Sequence, residues 1–215
     1  MLSATDNAYL NTSEPNTPMG NYLRCHWHPV ALSEEVAKPD CAPIRVKIMG
    51  EDLLLFRDSN GKTGLIEPFC AHRGADLFFG RNEECGIRCI YHGWKYDIHG
   101  NCIDMPNVPK DAAYHGKIKI KSYPTQEFAD MVWAYMGPPD IQPIEVPQLE
   151  AGLVPPSHRY VTKRLVECNW THSMEGALDT AHFSFLHMPA PAYRKDDSSN
   201  IAADESRIRW LRNDP

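Results

Sequence analysis

The sequence predicts an α+β chain: an antiparallel β domain, a proline-rich connection, and the start of a second domain mixing strand and helix. Three observations carry this. Between Ile44 and Met136, short apolar segments alternate with turn residues. Between Gly137 and Pro156, prolines crowd into "GPPDIQPIEVPQLEAGLVPP". Beyond Arg159, a strand-like run precedes a stretch of helical composition.

Taken in order, residues 1 to about 20 are polar and aperiodic, and are expected to form an N-terminal arm. The β domain is expected over 21–138. "IRVKI" alternates and ends at Gly50, "LLLFR" runs to the turn "DSNGK", and "TGLIE" comes next. "GIRCI", "WKYDI" and "CIDM" repeat the style, and "KIKIKSY" and "MVWAYM" are the last expected strands. Proline removes backbone donors and favours extended chain, so 139–157 is expected to be a linker. The second domain, 158–215, is expected to open with a strand in "RYVTKRLVE". "NWTHSMEGALDTAHFSF" then reads as helix, "MPAPAYRKDDSSN" as a loop and "RIRW" as the start of another strand. About 60 residues is marginal for an independent core, so this part is expected to be incomplete.

Composition narrows the function. With 42% hydrophobic and 23% charged residues, the chain of 215 residues has an ordinary globular balance. A net charge of −6 offers no basic field for nucleic acid. No apolar run nears the roughly 18 residues of a membrane span, and no secretory signal is visible. Seven scattered cysteines suit a reducing cytoplasm rather than a disulfide framework. Cys25, Cys41, Cys102 and Cys168 are expected to be small buried hydrophobes. Trp27, Trp94, Trp133 and Trp170 read as core or packing residues.

Two loops stand out. "CAHRG" offers Cys70 and His72, and "CIYHGW" offers Cys89 and His92. A structural zinc site usually draws two cysteines from one knuckle and two histidines from another. Here each loop splits its ligands. One zinc ion could accept all four, but the arrangement suits a [2Fe–2S] cluster with unlike ends, Cys70 and Cys89 on one iron, His72 and His92 on the other. Neutral imidazoles in place of thiolates make such a cluster easier to reduce, at roughly −150 to +300 mV. Gly74, Gly86 and Gly93 are expected to let the backbone approach it.

"CAHRGADL" and "CIYHGWKYD" resemble the cluster loops of Rieske-type oxygenases. The longer "LFFGRNEECGIRCIYHGWKYDIHGNCIDMPN" is similar to the phthalate dioxygenase branch. The resemblance covers about residues 18–190. The respiratory Rieske proteins usually carry a bridging cysteine pair, but Ala71, Arg73 and Tyr91 leave no place for one. The resemblance implies a Rieske domain over 21–138 and the start of a helix-grip catalytic domain holding a mononuclear Fe(II).

In "NWTHSMEGALDTAHFSFLH", Asp179 and His182 are neighbours at helical spacing, with Glu175 a turn earlier. His182 and His187 would point about 140° apart on a regular helix, so a bulge or break at Phe183–Leu186 is expected. Two histidines and a carboxylate form the facial triad of non-haem Fe(II) oxygenases. The resemblance implies that His182 and His187 are two ligands, with the third ligand outside this chain. It further implies that Asp179 bridges His182 and the cluster ligand His92 of a neighbouring subunit. Asp196, Asp197, Asp204 and Asp214 read as solvated.

The implied activity is that of an oxygenase component. A separate flavin/iron–sulfur reductase supplies electrons, dioxygen is activated, and a small phthalate-like aromatic acid is hydroxylated in a cytoplasmic homotrimer. Monooxygenation or O-demethylation of a similar acid, and electron transfer alone, remain the alternatives. The substrate-binding residues are not legible.

Overall fold

The computed structural model describes residues 2–109, 111, 114–138, 140 and 145–187. The chain divides into two compact units, 1–164 and 165–215.

Among the described residues, the first unit has eleven short strands in three antiparallel sheets. The central sheet joins β2 (Ile44–Ile48), β3 (Glu51–Arg57), β4 (Thr63–Ile66) and β9 (Ser122–Tyr123). Its spine is β3, whose "LLLF" run does not alternate in polarity because both of its faces are covered. Leu53 and Leu55 pack with Val46, Leu65, Val132 and Ala134 in one core. Leu54 and Phe56 pack on the other face with Ile66, Ile87, Tyr96, Cys70 and Cys89. The first core is closed by a sheet of β1 (Trp27–Leu32), β11 (Met131–Tyr135) and β10 (Thr125–Phe128), in the order β1-β11-β10. The second is closed by a sheet of β5 (Arg81–Glu83), β6 (Gly86–Arg88), β7 (Lys95–Tyr96) and β8 (Cys102–Asp104), paired in sequence.

Several expectations are corrected. The N-terminal arm is helical, with α1 (Ala4–Asn11) and α2 (Pro18–Arg24). Each has a side-chain cap: Ser3 Oγ accepts from the Asp6 amide, and Thr17 Oγ1 from the Gly20 amide, with Pro18 at the first helical position. The tail of α2 is tied down by Arg24, whose buried guanidinium donates to Ser13, Gly20 and Met49 carbonyls and pairs with Glu51. Only one bridge, at Lys119, and the two-residue β9 survive of the strand expected in "KIKIKSY". "RYVTKRLVE" forms no strand because no ladder partner meets it among the described residues; Tyr160 and Leu165 are 91% and 88% exposed. Instead Arg159 chelates Asp130 at 2.6 and 3.0 Å, and Lys163 pairs with Glu35. The proline-rich stretch carries a one-turn helix, α3 (Glu150–Leu153), and is partly docked, since Val146 is buried with Trp27, Trp133 and Tyr135. Cys102 is buried as expected, but Cys25 and Cys41 are half-buried and Cys168 is exposed.

In the second unit, the expected helix spans α4 (Trp170–Leu178) and resumes as α5 (Phe183–Leu186). The "MPAPAYRKDDSSN" loop, the "RIRW" strand start and Asp196, Asp197, Asp204 and Asp214 lie outside the described residues. Among the described residues, no helix is long and apolar enough to cross a membrane.

One ion pair fastens the first unit's sheets together. The Arg57 guanidinium meets Glu127 in two bonds of 2.6 and 2.8 Å, and also donates to the Val36 and Gly61 carbonyls. Arg57 holds the Glu127 carboxyl below its ordinary value near 4.5, against the opposing effect of partial burial. A carboxyl depressed on folding stabilises fully above its unfolded value and loses that contribution as pH falls through the lower folded value. Glu127→Ala is therefore expected to cost about 1–2 kcal/mol at pH 7, discounted for the exposure of Glu127. In urea titrations, the gap to the parent protein should shrink as pH drops below 4.5.

Candidate cluster and iron sites

The two Cys/His loops are built alike. The first leaves β4 and the second joins β6 to β7. In each, the cysteine amide donates to the carbonyl five residues on: Cys70 to Ala75 and Cys89 to Trp94, at 2.9 and 2.8 Å. In each, a glycine four residues on donates back to the cysteine carbonyl: Gly74 to Cys70 and Gly93 to Cys89, at 2.9 and 3.1 Å. Gly74 and Gly93 adopt φ of +67° and +78°, the left-handed conformation that glycine takes without strain. Gly86 differs from its expected role: its backbone packs on Tyr96, where an added Cβ would sit 2.5 Å from the carbonyl oxygen.

This scaffold brings the four predicted residues together in pairs. Cys70 and Cys89 are both 3% exposed. Burial pushes the Cys70 thiol up and the adjacent Cys89 adds to it, while Tyr96 and the His72 amide act against this. The Tyr96 hydroxyl lies 3.3 Å from Cys70 Sγ and accepts from the Ala71 amide at 3.1 Å. Burial, followed by the hydroxyl's contact with Cys70, pushes the Tyr96 phenol well above its ordinary range. The His72 and His92 rings lie 4.5 Å apart, edge to face. Each has an aromatic companion. Trp94 stacks on His72 at 4.6 Å with planes 9° apart, and Tyr91 lies over His92 at 3.9 Å. Trp94 is pinned in turn by its indole N–H, which donates to Asn107 Oδ1 at 2.7 Å. Sequence reasoning places Trp94 among packing residues and misses Tyr96 and Asn107, because nothing in their spacing announces the contacts.

His72 Nδ1 is buried without a hydrogen-bond partner. A buried imidazole nitrogen left unpaired is costly, and a ligating metal removes that cost. Desolvation, then His92 and Arg73, hold the His72 imidazole below its ordinary value, which favours the neutral form a ligand must take. Among the described residues, no three Cys, His, Asp or Glu side chains converge on one ion position. Two thiols side by side and two imidazoles side by side suit a cluster with a sulfur end and a nitrogen end.

In the second unit, the break falls at Asp179–His182, earlier than the expected Phe183–Leu186, which is itself helical. Asp179 caps α4 and makes the turn: Oδ1 accepts from the Ala181 amide at 2.8 Å. Its other oxygen lies 3.3 Å from His182 Nδ1. The break brings the His182 and His187 rings to 5.2 Å, with Phe183 against both. Glu175 instead faces His172 at 3.7 Å on an exposed surface.

The two loop glycines should differ in tolerance. An alanine Cβ at position 74 would meet open space, whereas at 93 it would lie 2.6 Å from Pro106 Cγ. Gly74→Ala is expected to cost about 1–2 kcal/mol from backbone strain alone. Gly93→Ala should cost more because Pro106 must move. Equal melting temperatures for the two variants would contradict this.

Comparison with known proteins agrees with the geometry. Residues 20–124 match the Rieske [2Fe-2S] domain family. The chain is 44% identical over 189 residues to the phthalate 4,5-dioxygenase oxygenase subunit of Pseudomonas putida, covering 87% of this chain and 42% of the relative. It is 39% identical over 188 residues to the 3-chlorobenzoate-3,4-dioxygenase oxygenase subunit of Comamonas testosteroni, covering 87% and 43%. Among solved structures, the terminal oxygenase of carbazole 1,9a-dioxygenase from Novosphingobium sp. KA1 superposes with a TM-score of 0.57 at 31% identity, over 74% of this chain and 42% of that one. The chain thus spans about two fifths of the length of these relatives. Residues 20–124 are a Rieske [2Fe-2S] domain, in a chain similar over 87% of its length to oxygenase subunits of this type.

Proposed function

We propose that this chain supplies the cluster-bearing part, and the first ligands of the catalytic iron, of an oxygenase that hydroxylates a phthalate-like aromatic acid. The observation that carries the proposal is the pairing of two buried thiols with two imidazoles, one with an orphaned buried Nδ1, on two loops of like design. Cys70 and Cys89 would hold one iron of the cluster, and His72 and His92 the other. When bound, the [2Fe–2S] group supplies one-electron transfer and the mononuclear iron supplies dioxygen activation.

The chain's own residues do the rest. Trp94, fixed by Asn107, holds the His72 ring plane. With Cys70 bound as a thiolate, the Tyr96 hydroxyl 3.3 Å from its Sγ would donate to it and draw charge from it. Exposed Ile90 and Tyr91 flank His92 and leave this edge open to a partner surface. In the second unit, His182 and His187 would be two iron ligands, with a third carboxylate from elsewhere. Asp179 orients the His182 ring and fixes its tautomer. In a homotrimer, Asp179 would also meet His92 of a neighbouring subunit. A separate reductase would deliver electrons, in the cytoplasm, where cysteines stay reduced.

The test begins with composition. The purified chain should contain iron and acid-labile sulfide in equal amounts, with a potential in the range of roughly −150 to +300 mV. Zinc without sulfide would sink the proposal. Tyr96→Phe removes one hydrogen bond to a ligand sulfur, worth about 1 kcal/mol, and should lower the potential by about 40 mV with the cluster intact. In the protein carrying the remainder of the catalytic domain, Asp179→Asn should keep both metals but slow electron transfer from the cluster. An unchanged single-turnover rate would remove Asp179 from that role.

A further inference from the structure

The first unit contains a cavity outside the two Cys/His loops. It has a volume of about 1130 Å³ and is bounded by β4, β9, β10, the end of β11 and the β7–β8 hairpin. Its charge is unusual for a chain of net charge −6. Lys62, Lys119 and Lys121 line it. Lys121 is engaged by Glu51, but the ammonium groups of Lys62 and Lys119 have no ion-pair partner among the described residues. The carboxylate in the lining, Glu127, is already neutralised by the two-bond contact with Arg57. The cavity therefore presents uncompensated positive charge.

The second observation is Tyr135. It lines the cavity and is 3% exposed. The hydroxyl is packed against Gly137, where an added Cβ would lie 2.2 Å from it. A phenol O–H at the wall of a cavity can donate to an acceptor that enters it. The neighbouring hydroxyls of Thr63 and Thr125 bond to each other at 2.8 Å. Ile98, Pro124 and Met136 add apolar wall. Apolar walls with a few convergent polar groups are the signature of a small-molecule site.

We propose that this cavity binds a small organic anion with an apolar body, of the aryl carboxylate class. The charge lies toward Lys62 and Lys119, the body rests on Ile98, Pro124 and Met136, and Tyr135 donates its hydroxyl proton. None of these residues belongs to the Cys/His loops or to the His182–His187 segment, so the site stands whether or not the proposed oxygenase function does.

The test is calorimetric titration of the 215-residue chain with benzoate at low salt, with inorganic phosphate as a charged probe lacking an apolar body. Benzoate should bind, and phosphate should bind about tenfold more weakly or less. The double variant Lys62→Ala/Lys119→Ala alters two exposed side chains and should keep the fold by circular dichroism, while weakening benzoate by about tenfold. Tyr135→Phe keeps the ring and should weaken it by about threefold to tenfold. Absence of benzoate binding at about 10 mM, a ceiling far weaker than the micromolar range of a built site, would overturn the proposal. So would wild-type affinity in the double lysine variant, or phosphate binding as tightly as benzoate, which marks a merely cationic surface.

Discussion

Two ionisable thiols buried side by side are the constraint around which the first unit is organised. Cys70 and Cys89 lie in the same core as Leu54, Phe56 and Tyr96. A thiolate cannot sit in an apolar interior unless positive charge or hydrogen-bond donors reach it. The loops meet that demand locally: each cysteine is clamped by its own backbone bonds, and the His72 amide and Tyr96 hydroxyl reach Cys70. Left-handed glycines are required because a tight loop of this kind must reverse within five residues.

The central sheet makes such burial affordable. Because β3 is covered on both faces, the region that presents the cysteines is backed by one continuous wall, and the opposite core braces that wall from behind. Arg57, at the end of β3, then ties the central sheet to β10 through Glu127. Helical caps at Ser3 and Thr17 and the buried Arg24 fasten the N-terminal residues to the hairpin of β2 and β3.

The legible parts of the sequence are those with a strong local signal. Alternation in "IRVKI", the unbroken "LLLF" run and the paired Cys/His loops all correspond to the observed elements. The hairpin of β2 and β3 turns on Met49–Gly50, with a glycine to mark it. Two others carry no such mark. Glu84–Cys85 and Ala129–Asp130 turn β5 into β6 and β10 into β11 with positive φ at both positions and no glycine or asparagine. Without those cues, β5 and β10 are invisible in the sequence. β10 is also polar, and β1 carries Pro29 beside a register irregularity on a sheet edge, where proline is tolerated. The failed strand at "RYVTKRLVE" teaches the converse: its pattern suits a strand, but a strand exists only if a partner edge is present. Likewise the position of the break between Asp179 and His182 depends on a side-chain cap, which helical periodicity does not encode.

The contact between Arg159 and Asp130 changes what the proline-rich stretch is. The stretch leaves the far end of β11, yet Arg159 returns to the turn that begins β11. Some twenty residues thus close a loop over a single strand and deliver the chain back to where that strand started. Mechanically it is a strap rather than a leash. The chain's effective exit from the first unit lies at Lys163, clipped to Glu35. Lengthening the prolines would therefore slacken the strap without extending the reach of the residues beyond Lys163.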